Sequence, residues 1–154
     1  MARIEKTIEI NVPPTNVWSY ISDPKNFIMW AGTVDTINII EETQNGVGTT
    51  AQVTIGDMEV IMKVVEVVEN RKIASQAIEG DLTELSQSFT LDPIENGTRL
   101  TYMLDYQVPK ALGGKLLDML LVRRTIDAEM DTGLERLKKD LEQSWTILSK
   151  AGKT

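Results

Sequence analysis

The 154-residue sequence contains no histidine and no cysteine. Imidazole bases, thiolate nucleophiles, disulfides and imidazole- or thiolate-ligated metal sites are therefore excluded. Carboxylates, guanidinium groups and phenols are among the groups left for chemistry. Arg123 and Asp127 stand out in "LVRRTIDAEM". On a helix, a spacing of four places them on one side and within reach of each other. There Arg123 could polarise a carbonyl and Asp127 could serve as acid or base. Burial would raise the carboxylate pKa toward a useful value, whereas the adjacent arginine would lower it. Tyr102 and Tyr106, in "TYMLDYQV", share a strand face and add hydroxyl donors. No Asp-x-Asp-x-Asp-Gly loop or comparable acidic cluster offers a hard-cation site, so neither a metal nor a cofactor is expected.

These groups matter only if the fold turns them inward. From Lys115 to about Lys150 the text is rich in strong helix formers, and Gly113 and Gly114 mark the turn into it. With 3.6 residues per turn, Leu116, Met119, Met130, Leu134, Leu137, Leu141, Trp145 and Leu148 form one apolar stripe, and Arg123 and Asp127 fall within about 40° of Leu134. One reading places the two as an ion pair over a sheet, facing a cavity or its mouth. The other places this half of the helix at an open end, with both side chains in water. A helix of this length spans roughly 50 Å, more than a small domain needs, so its last turns are expected to bend, fray or overhang.

Ahead of this helix the sequence is β-like. Residues 3–11 alternate, with Ile4, Ile8 and Ile10 on one face. Pro13 and Pro14 end that strand, and a short helix starts near Pro14 and stops before Asp23-Pro24. Pro24 opens a second short helix through Trp30. Strands are expected over 34–42, 49–56, 58–69, 72–79, 84–92 and 98–108. Turns are expected at "QNGVG", "GD", "NR", "EGD" and "ENG". Such short connections imply an antiparallel meander. The expected class is α+β, as a single domain over 1–154.

Composition narrows the partners. A net charge of −7 opposes non-specific nucleic-acid binding and docking on anionic lipid surfaces. No apolar run approaches the roughly 18–20 residues needed to span a bilayer. The opening "MARIEKTIEI" alternates like a strand rather than a signal peptide. The expected location is the cytoplasm.

The stretch "IEINVPPTNVWSYISDPKNFIMW" resembles the N-terminal signature of the START-like (SRPBCC) superfamily. Its nearest branch is the polyketide cyclase/dehydrase and lipid-transport family. The pattern is carried by Ile10, Pro13, Val17, Trp18, Ile21, Ser22, Asp23, Pro24, Asn26 and Trp30. "GLERLKKDLE" at 133–142 resembles the family's C-terminal helix. The resemblance covers about residues 4–143. It implies a helix-grip, birch-pollen-allergen-like fold, in which a curved antiparallel sheet of about seven strands wraps around the long helix. A cavity commonly lies between them.

Alternation then suggests which residues face such a cavity: Val53, Ile55, Met62, Val64, Phe89, Tyr102, Leu104 and Tyr106 from the sheet. Trp30 joins them from the second short helix, and Leu116, Leu120, Arg123, Asp127 and Met130 from the long helix. Each sheet residue can equally be ordinary core. Three functions remain open. The first is a carrier or sensor of a small hydrophobic ligand (lipid-, sterol- or polyketide-like). The second is a cyclase or dehydratase that uses Arg123 with Asp127 or a tyrosine. The third is an interaction module, with Trp145 and Leu148 marking a homodimer contact.

Overall fold

The computed structural model describes residues 2–107 and 116–151, with side chains described from Leu121 onward in the second segment. Strand β1 (Ala2–Ile10) leads into helix α1 (Pro14–Ile21) and a 3₁₀ helix (Pro24–Met29). Six strands follow: β2 (Thr36–Glu41), β3 (Thr50–Ile55), β4 (Met58–Val68), β5 (Lys72–Gly80), β6 (Leu85–Ile94) and β7 (Gly97–Tyr106). Helix α2 (Leu116–Ala151) closes the chain. The sheet is antiparallel with the order β1-β7-β6-β5-β4-β3-β2. β1 thus crosses from the start of the meander to pair with its last strand. This is the helix-grip arrangement. Among the described residues no helix is long and apolar enough to cross a membrane.

Local chemistry accounts for the punctuation. Pro14 occupies the first turn of α1, where a missing N–H costs nothing. Asp23 caps the 3₁₀ helix by accepting from the Lys25 amide at 3.0 Å. Asn70, at φ 65°, takes the left-handed turn between β4 and β5. Register shifts within the β4–β5 ladder, between Ile61 and Met62 and between Val64 and Glu66, mark bulges. Bulges of this kind increase twist and bend the sheet toward the helix.

α2 runs parallel to β1 and is held to it at intervals. Arg123 Nη2 donates to the Arg3 carbonyl at 3.1 Å. Lys6 Nζ donates to Asp127 Oδ1 at 2.7 Å and to Asp131 at 3.3 Å. Lys138 Nζ donates to the Glu9 carbonyl at 2.6 Å, and Glu142 Oε2 accepts from the Asn11 amide at 2.8 Å. The order of contacts is the same along both elements.

The interior has two unlike halves. At the end where β1 meets α1, Ile10, Val12, Val17, Trp18, Leu91, Leu100, Leu137 and Leu141 pack solidly, and Thr98 satisfies the Val12 carbonyl at 2.7 Å. At the other end the same layers separate. Between the halves, Trp30 lies on α2 where Gly133 allows its backbone to approach. The apolar stripe holds for Met130, Leu134, Leu137 and Leu141, which are buried. It fails at Leu148, which is 60% exposed because α2 outruns the sheet; Ile147 is exposed there too. Gly113 and Gly114 lie outside the described residues.

A Cβ at Gly133 would stand 2.7 Å from the Trp30 carbonyl oxygen, which is backbone and cannot swing away. Gly133→Ala is therefore expected to destabilise the fold by about 1–3 kcal/mol, despite alanine's better helix propensity. Urea denaturation should show a lower midpoint at unchanged slope.

Candidate functional site

The hollow half is an apolar pocket of about 560 Å³ between the concave sheet face, the Phe27–Val34 segment and α2. The alternation of the strands builds its wall. Val64, Ser75, Gln87 and Leu104 are direct cross-strand partners over β4, β5, β6 and β7, and all four line the pocket. The next row, Ile73, Phe89 and Tyr102, lines it as well. Phe27, Trp30, Phe89 and Tyr102 meet largely edge to face, with ring centroids 4.5–6.1 Å apart, and separate the pocket from the solid core. Ala31, Val34 and Val53 extend the wall toward β2.

The polar groups on this wall are few. The Tyr102 hydroxyl donates to Gln87 Oε1 at 3.1 Å, and burial pushes its phenol pKa far above the usual value. Burial also raises Tyr106, while the Arg123 guanidinium acts in the opposite sense. The Trp30 Nε1 is buried without a hydrogen-bond partner among the described residues. Its ring sits instead among the three other aromatic faces.

Trp30, Val53, Ile55, Met62, Val64, Phe89, Tyr102, Leu104, Tyr106 and Met130 all lie on the pocket wall. Leu116 and Leu120 belong to the first turns of α2, whose side chains are outside the described set. Arg123 and Asp127 are not part of the lining and do not pair with each other. Their partners are the Arg3 carbonyl and Lys6. The hydrogen bond to Asp127 lifts the Lys6 ammonium above its ordinary pKa.

Helix geometry explains this placement. The face that meets the pocket is formed by Val122, Ile126, Glu129, Met130 and Gly133, with Ile126 about 80° round the helix from Leu134. Because α2 crosses a curved sheet, the stripe that meets the core near Leu137 faces the β1 edge near Arg123. Lys6 was the missing partner. It occupies the inner face of β1 between Ile4 and Ile8, where the alternation calls for an apolar residue. Its contacts with Asp127 and Asp131 let its stem cover the sheet edge while its charge stays outside. Glu129, Thr125, Ser75, Glu84 and the Gly32–Thr33 loop also reach the pocket. The only sequence signal for Glu129 and Thr125 was their helical spacing from Ile126 and Val122. No cluster of three or more metal-ligating residues occurs among the described residues.

The Tyr102 shift has a measurable consequence. A phenol whose folded pKa is raised adds stability in full below the unfolded value. That stability is lost as pH rises from about 10 toward the folded value. Denaturant midpoints should fall above about pH 10, and Tyr102→Phe should reduce the slope by up to ~1.4 kcal/mol per pH unit. Phenolate absorbance from Tyr102 should appear only with unfolding.

Comparison with known proteins agrees with this architecture. The protein TTHA0849 from Thermus thermophilus superposes with a TM-score of 0.78 at 17% identity, covering 93% of this chain and 99% of that one. The Zhui aromatase/cyclase from Streptomyces sp. R1128 gives 0.74 at 17% identity, with 92% and 94% covered. A START superfamily protein from Mycobacterium smegmatis gives 0.67 at 22% identity, with 95% and 98% covered. At these identities the likeness is one of fold. A search of curated protein sequences finds no match. The model of the family described as "Polyketide cyclase / dehydrase and lipid transport" matches residues 1–142, and the chain belongs to that family.

Proposed function

We propose that the protein binds and carries a small hydrophobic molecule in the pocket between the sheet and α2. One observation carries this reading: a cavity of about 560 Å³ whose wall is mainly apolar. Ligand pockets span roughly 300–1,000 Å³ and combine such walls with a few placed polar groups. Kept empty and dry, a cavity of 560 Å³ would cost about 13 kcal/mol at ~24 cal/mol per Å³, as much as the whole stability of many domains. Such a volume is therefore filled, by water or by a ligand, and an apolar wall favours an apolar ligand over water. Membership of a family whose description includes lipid transport supports the same reading. The cyclase or dehydratase alternative used Arg123 with Asp127 or a tyrosine; Arg123 and Asp127 are engaged outside the pocket lining, and only Tyr102 and Tyr106 of that set line it.

The test is to fill the cavity from within. Ser75 is a small residue in the middle of the inner sheet face. Ser75→Phe should lower the affinity for the neutral fluorophore N-phenyl-1-naphthylamine by at least about tenfold, while thermal stability holds or rises. Native mass spectrometry should find a hydrophobic molecule on the wild type and not on the variant. Undiminished probe binding with the phenyl group in place would sink the reading.

A further inference from the structure

The charge pattern of the wall goes further and rests on the binding reading just given. Among the described residues, no lysine or arginine lines the pocket, and its charged members are Glu84 and Glu129. Nearby, Arg3 pairs with Asp105 and Lys6 with Asp127 and Asp131, while Arg123 donates to the Arg3 carbonyl outside the lining and reaches the pocket only through its field on Tyr106. Glu129 is different. It projects from the pocket face of α2 between Ile126 and Gly133, and its carboxylate rests against the bare Cα of Gly32. It forms no hydrogen bond or ion pair with any described residue. An ionised carboxylate is acceptor-only. Glu129 is half-buried, and a group that meets it gains if it donates and loses if it is also an anion.

We infer that the pocket selects lipophiles whose polar end is a hydrogen-bond donor, a hydroxyl or an ammonium, and rejects lipophilic anions, with Glu129 the residue that sets this preference. A carboxylate, sulfate or phosphate head would lose water without meeting a cation on the described wall. It would also face the field of Glu129. A hydroxyl or ammonium can donate to Glu129 while its chain lies on the Phe89–Leu104 side.

Dodecylamine, dodecanol and dodecanoate have one chain length and three head groups. Each is used at monomeric concentration and neutral pH to displace N-phenyl-1-naphthylamine from wild type, Glu129→Gln and Glu135→Gln. Glu135 lies exposed on the far side of α2, so its variant removes the same formal charge without touching the pocket. Dodecanoate is expected to bind the wild type at least about tenfold more weakly than dodecanol, with dodecylamine the tightest. Glu129→Gln should shrink the amine-to-carboxylate ratio by a similar factor, and Glu135→Gln should leave it unchanged. The inference is overturned if dodecanoate competes as well as dodecanol on the wild type. It is equally overturned if Glu129→Gln and Glu135→Gln change the ratio alike. If the probe binds and all three amphiphiles compete equally, carriage stands and only the selectivity falls. If the probe itself does not bind, both fall together.

Discussion

One helix must cover one face of a seven-stranded sheet. Adjacent strands lie about 4.8 Å apart, so seven span close to 29 Å from edge to edge, whereas a helix with its side chains is only about 10–12 Å wide. A flat sheet would leave most of its apolar face in water. The bulges in β4 bend the sheet around α2 instead. The bend brings β1 and the segment from the 3₁₀ helix to Val34 toward the helix from opposite sides. Where α1 and Trp18 supply a second layer, the enclosed volume is filled. Where they do not, it stays hollow. The pocket is thus a geometric remainder of covering a wide sheet with a narrow element, and its apolar wall is simply the sheet's inner face.

That geometry places unusual demands on β1. Among the described residues it is an edge strand, with β7 on one side and no strand on the other, and such edges need protection. Here α2 supplies it through polar contacts that run from Arg3 to Asn11. Surface pairs like Lys6–Asp127 contribute little to stability singly. Their effect is on orientation: they fix the rotation of α2 about its own axis, and so decide which of its residues see the pocket. Gly133 sets the depth of the same docking by letting the Trp30 backbone lie against the helix.

Most of the architecture could be read from periodicity and punctuation. Ile4, Ile8 and Ile10 announced a strand face, and Pro14 and Pro24 opened helical turns where proline is tolerated. "NR" and "EGD" stand at turns whose Asn70 and Gly80 have positive φ. The sheet side of the pocket was legible for the same reason, since a period of two assigns faces without knowledge of curvature. The helix side was not. A wheel built on Leu134 and Leu137 assumes that one stripe faces one surface along the whole helix, and a curved sheet breaks that assumption. Arg123 and Asp127 fell on the extrapolated stripe and Glu129 fell off it. The four-residue spacing also suggested an internal pair, because nothing local reveals that Lys6, more than a hundred residues away, competes for the aspartate.

The division of the interior into a solid end and a hollow end bears on how such a chain can change over evolutionary time. Substitutions around Leu91, Leu100 and Leu137 disturb close packing and tend to be purged. The wall near Ser75 borders a space, so a change of side-chain volume there has room to be absorbed. Close packing and the pocket wall thus draw on partly separate positions along the same strands. A lineage built on this plan can reshape the pocket wall while the solid end keeps the fold.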